Sequence, residues 1–66
     1  MKIKWINKYS QESGFVKNVD YKKHHFINTF NEDEAKKYAS TDSANKTIAK
    51  LIDYGEGENN DFFVID

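Results

Sequence analysis

The spacing of apolar residues changes at Asn31, and that change sets most of what this chain can fold into. Before it, apolar residues fall in short runs that partly alternate, with polar segments between them. After it, they recur every third or fourth residue. Alternation places successive side chains on opposite faces of a strand, whereas the longer repeat marks one face of a helix. The expected order is therefore strands first, then helix.

Ile3 and Trp5 share one face of the first run, with Tyr9 further along. Ser10-Gln11-Glu12-Ser13-Gly14 reads as a hairpin loop ending in glycine. In the second run, strict alternation puts Phe15, Lys17, Val19 and Tyr21 on one face and Val16, Asn18 and Asp20 on the other. Asp20-Tyr21-Lys22-Lys23 reads as a second turn. A third run from His24 to Phe30 sets Phe26 and Phe30 opposite Ile27. Three antiparallel strands in a meander is the simplest arrangement.

Asn31-Glu32-Asp33-Glu34 offers an asparagine cap with a glutamate three residues on, the pattern of a capping box, and predicts a short helix that packs Ala35 and Tyr38 inward. Ser40-Thr41-Asp42 starts a second helix over residues 42–54. Its inner face is Ala44, Ile48, Leu51 and Ile52, and Gly55 suits its C-terminal cap. Glu56 to Asp61 is a polar loop. Phe62-Phe63-Val64-Ile65 then reads as a final strand with apolar side chains on both faces. The expectation is an α+β fold, β-β-β-α-α-β, in one domain over residues 1–66, with a three- to four-stranded antiparallel sheet and one main helix on one face. Trp5, Val19, Phe26, Ala44, Ile48, Leu51 and Val64 are its expected core.

The chain has 66 residues and no cysteine, which removes disulfides and thiolate metal sites as sources of stability. A core of this size leaves a net stability of about 3–5 kcal/mol. Oligomerisation is one way to supplement it, and a homodimer is one expectation. Lys2-Ile3-Lys4-Trp5-Ile6 lacks the apolar stretch of a signal peptide, and no apolar run approaches membrane-spanning length. A cytoplasmic location, without membrane contact, is the default expectation.

Residues 1–30 carry six lysines and two acids, and residues 31–66 carry four lysines and nine acids, so charges of +4 and −5 face each other along the chain. Arginine, the usual fork for guanine edges and phosphates, is absent. That argues against sequence-specific DNA reading.

No group of residues forms a catalytic pattern. His24 and His25 would point to opposite faces of a strand and could not share a metal. Glu32, Asp33 and Glu34 are explained by a helix start. The acids and asparagines from Asp53 to Asp61 lack the ligand order of a calcium loop. Gly55 and Gly57 follow a helix, whereas a phosphate loop precedes one. The serines at 10, 13, 40 and 43 have no evident base. The expectation is a non-enzymatic binding protein that needs no cofactor and no metal.

Ten aromatic rings in so small a domain are the best clue to what it binds. One helical layer covers one sheet face, so rings on the other face meet water or a partner. Phe62, Phe63, Ile65, Tyr9, Tyr21 and Tyr54 are the candidate partner-binding residues. If the ligand is instead single-stranded nucleic acid, Lys2, Lys4, Lys8, Lys17, Lys22 and Lys23 would carry its phosphates between stacking rings. A third alternative is sequestration of a small nucleotide signal at a dimer seam.

From Phe30 to Leu51, the run Phe-Asn-Glu-Asp-Glu-Ala-Lys-Lys-Tyr, then Ser-Thr-Asp-Ser-Ala, then Ile48 and Leu51, resembles a pattern in small phage and prophage proteins of low-GC Gram-positive bacteria. There a strand, a helical turn and an alanine-bearing helix precede a final strand. The motif is structural and transfers no functional residue. What the resemblance implies is a viral, anti-defence class of protein acting in the host cytoplasm, which inhibits a host protein or enzyme stoichiometrically by blocking a surface or sequestering a ligand.

Overall fold

A computed structural model describes residues Met1–Asp66. The first three runs form β1 (Lys2–Asn7), β2 (Ser13–Asp20) and β3 (His25–Thr29); a helix, α1 (Thr41–Asp53), and a fourth strand, β4 (Asn60–Ile65), follow. The four strands make one sheet in the order β3-β2-β1-β4, and every neighbouring pair is antiparallel. β3 and β4 are thus opposite edges, and the chain must cross the sheet between them. α1 lies on that crossing. The fold is the expected α+β one, with four strands and one main helix.

Register fixes which side chains meet the helix. Ile3 pairs with Val64 and Trp5 with Phe62, while Lys4 lies between Phe15 and Phe63 on the opposite face. The buried cluster is Ile3, Trp5, Val16, Val19, Ala44 and Leu51, with Phe26, Ile48, Phe62 and Val64 half-buried against it. Every expected core residue is therefore in or against the cluster. Ile3 and Val16, which are completely buried, belong beside them.

Val16 and Val19 cannot both face inward in a strictly alternating strand. The ladder resolves this with a bulge at Lys17: Val16 pairs with Asn28, Asn18 with Ile27 and Val19 with Phe26. One extra residue shifts the phase of everything after it. The predicted faces, with Phe15 and Val19 together against Val16, are corrected accordingly.

The first turn also sits earlier than predicted. Asn7 Oδ1 accepts from the amides of Tyr9 and Ser10, both at 2.9 Å, and the Gln11 amide donates to Asn7 O at 3.1 Å, so Asn7 anchors the turn. Gln11 takes the left-handed conformation, φ 65°. Gly14 is consequently a strand residue, paired with Trp5. A Cβ there would lie 2.8 Å from both the Thr29 carbonyl oxygen and Trp5 Cζ2. The glycine is required for a close approach and not for a turn.

The second turn is headed by Asp20, whose Oδ1 accepts from Lys22 N at 3.1 Å and Lys23 N at 3.0 Å. The Lys23 amide foremost holds this carboxyl below its ordinary value of 3.8; desolvation, the next largest effect, opposes, while the Lys22 amide and the charges of His25 and Lys23 assist. A depressed folded-state value means that the stabilisation exists above the unfolded value and is lost as pH falls through the folded one. Asp20→Asn keeps an acceptor oxygen for both amides without titrating. We expect acid melting curves of this variant to fall less steeply below about pH 4 than those of wild type; parallel curves would contradict this role. His24 lies in the turn with φ 59°, so the histidine pair is not two residues of one strand.

The first predicted helix is only a single 3-10 turn over Glu32–Glu34. Asn31 Oδ1 caps Asp33 N at 3.0 Å. Glu34, instead of closing a capping box, accepts from Thr29 Oγ1 at 3.3 Å and pairs with Lys17 at 3.4 Å. Ala35 is already extended, because the next amides are claimed by the sheet: Lys36 N donates to Val16 O at 3.0 Å, and Tyr38 N to Met1 O at 2.6 Å. Ala35 is buried outside the main cluster, and Glu32 pairs with Lys2 at 3.3 Å. Lys2 and Thr29 belong to the sheet face away from α1, so this segment covers part of a face that sequence reasoning left open.

α1 begins as predicted. Ser40 and Ser43 cap reciprocally, each side chain accepting the other's amide. It ends where Gly55 turns left-handed, φ 94°. Ala44 and Leu51 face the core, but Ile52 does not: it is 57% exposed. Eight residues at roughly 100° each rotate Ile52 about 80° from Ala44, onto the flank of the helix.

Candidate binding groove

The left-handed Gly55 sends the chain back toward the sheet, through a second 3-10 turn over Glu56–Glu58. This return leaves a groove of about 620 Å³ between the flank of α1, the turn and the start of β4. Ile48, Ile52 and Phe62 supply its apolar surface, Phe63 borders it at the strand edge with its side chain on the far sheet face, and Lys8, Glu58, Asn60 and Asp61 form its polar rim.

The turn that walls the groove is tied down from several sides. Lys8 Nζ donates to Gly57 O at 2.8 Å and pairs with Asp61 at 3.8 Å, while Lys8 N donates to Asn59 O at 2.8 Å. Asn60 Nδ2 donates to Glu56 O at 3.3 Å, and Asn7 Nδ2 to Asn60 Oδ1 at 3.4 Å. Gly57 rests on Ile52, whose Cγ1 would lie 3.2 Å from a Cβ at that position. The wall is pre-ordered, which lowers the entropic cost of binding against it.

The groove runs beside the outer edge of β4, which no strand pairs. That edge presents backbone donors and acceptors of the kind that template another strand. Two large apolar side chains next to it are exposed, Ile52 and the 45% exposed Phe63, beside the exposed acids Glu58 and Asp61. Ten residues line the groove, with no histidine, serine, threonine, tyrosine or cysteine among them.

The six predicted partner-binding residues do not converge. Phe62 and Phe63 line the groove. Ile65 is opposite Lys2 on the sheet face away from α1. Tyr9 protrudes from the first turn. Tyr21 meets Tyr54 edge-on at 6.4 Å, with His24 stacked on Tyr54 at 4.6 Å, and these three join the second turn to the end of α1. Nor do the candidate lysines form one patch. Lys2, Lys8 and Lys17 are paired with Glu32, Asp61 and Glu34, Lys4 stands between Phe15 and Phe63, and Lys22 and Lys23 lie in the second turn.

Sequence reasoning missed Ile52, Lys8 and Gly57 as groove residues. The angular offset of Ile52 from Ala44 was the available signal. Nothing local places Lys8 beside Gly57, since that contact depends on β1 pairing with β4. Comparison of the chain with protein-family models, curated proteins and solved structures finds no match.

Proposed function

We propose that this protein is a non-catalytic binding protein that acts by stoichiometric contact with another protein, through the groove between α1 and β4. The observation that carries the reading is the coincidence of a pre-ordered apolar groove with an unpaired strand edge. Exposed apolar surface rimmed by polar groups is the usual mark of a protein interface. The resemblance of residues 30–51 to small phage proteins supports a host enzyme or defence protein as the target, with the protein acting as its inhibitor. The groove's rim disfavours the nucleotide and nucleic-acid alternatives: its one lysine is already paired with Asp61, and the remaining carboxylate, Glu58, repels phosphate.

The test is a complex reconstituted from purified components. Wild type should form it at defined stoichiometry. Ile52→Glu and Phe63→Lys, at exposed positions, should keep the fold and weaken the complex about tenfold or more, as loss of a buried apolar anchor does. Full binding by both variants would contradict the assignment, as would salt-sensitive binding of oligonucleotides in place of any protein complex.

A further inference from the structure

We infer that the groove's occupant is an extended, lysine- or arginine-bearing segment of the partner protein, added to the outer edge of β4 as a fifth strand. This rests on the proposed protein-binding function and specifies its chemistry.

The argument is one of charge and pairing. Residues 51–66 carry Asp53, Glu56, Glu58, Asp61 and Asp66 and no lysine. The single cation lining the groove, Lys8, is held by Asp61 and the Gly57 carbonyl. The groove therefore has an apolar floor under a rim of net charge −1, with Glu58 as its unpaired carboxylate, inside a stretch that carries five acids. A second copy of this chain, paired edge to edge through β4, would bring a second 51–66 stretch, with five acids and no lysine, to the same edge. Like charges facing one another across strands destabilise the pair. A basic strand gains where a second copy loses.

The fold already shows which sequence pairs with β4. Its inner edge holds β1, in which lysines and apolar residues alternate: Lys2 and Lys4 are opposite Ile65 and Phe63, and Ile3 and Trp5 are opposite Val64 and Phe62. A segment of the same alternation on the outer edge would lay its apolar side chains over Ile52 and Phe62. Its alternate cations would fall on the opposite face, in the row of Asp61, Phe63 and Ile65, with Asp61 as the carboxylate of that row. Backbone bonding supplies the affinity of such strand addition, and the alternate side chains its specificity.

The experiment uses the full chain, isotope-labelled, and two short capped peptides, one alternating lysine with valine and one alternating glutamate with valine. The lysine peptide should shift the amide resonances of residues 60–65 and the methyl resonances of Ile48 and Ile52. It should bind about tenfold or more tightly than the glutamate peptide, and weaken as salt rises from about 50 to about 300 mM. Glu58→Lys with Asp61→Lys should reverse the preference, and Glu58→Gln with Asp61→Asn should abolish it. Equal binding of both peptides to wild type overturns the charge assignment. Shifts confined to other residues, or none, overturn strand addition at this edge. If the reconstituted complex still depends on Ile52 and Phe63 in either case, the protein-binding function stands without this inference; if that dependence is missing too, both fall.

Discussion

Gly14→Val is expected to leave the chain largely unfolded at room temperature, and Gly14→Ala to remove most of its stability. The added Cβ must displace the Thr29 carbonyl, which is β3 backbone, or the buried Trp5 ring, each 2.8 Å away. Neither is the free end of a flexible side chain. Trp5 also packs against Phe26 and Phe30, with ring centroids 6.2 and 6.0 Å away, so moving it disturbs the cluster on which β3 rests. Overpacking of this kind costs about 1–3 kcal/mol, against a total of about 3–5 kcal/mol for a domain this small. Gly55→Ala is the informative contrast. Nothing lies within 4 Å of a Cβ there, and the cost is backbone strain at φ 94° alone. A urea midpoint for Gly14→Ala equal to that of wild type would refute the packing role.

Neighbouring helix residues should respond very differently to the same truncation. Leu51→Ala empties a completely buried site between α1 and the sheet. Such changes cost about 2–5 kcal/mol, a large part of the total stability of about 3–5 kcal/mol. Ile52→Ala removes a side chain that is more than half exposed on the groove side, and should cost under about 1 kcal/mol. Urea denaturation of both variants reads the difference directly. Equal losses would mean that Ile52 belongs to the core, and the groove would lose its floor.

The elements with strong local signals were legible in the sequence, and those decided by long-range pairing were not. α1 announced itself through Ser40, the repeat from Ala44 to Leu51 and Gly55, and it lies one residue from its expected bounds. The final strand was legible from Phe62 to Ile65, and so was the side each residue takes. The bulge at Lys17 was not, because a bulge is defined against the partner strand and β2 alone reads as continuous alternation. The helix expected at Glu32 has a sound local start. It yields because Val16 and Met1 offer backbone partners to Lys36 and Tyr38, more than thirty residues removed for the latter. The groove was half legible. Phe62 and Phe63 were marked as binding residues, but the wall opposite them depends on how Gly55 and Lys8 place the return loop.

Amide hydrogen exchange on the reconstituted complex tests the central claim most directly. If the partner docks in the groove and along the free edge, amides of β4 should gain protection on binding, together with Ile52 and the Gly55–Glu58 turn. The second turn, with Lys22 and Lys23, should exchange as in the free protein. Unchanged exchange across β4, with new protection around Lys4, Lys17 and the second turn, would contradict the account and place the interface on the lysine-bearing side of the sheet.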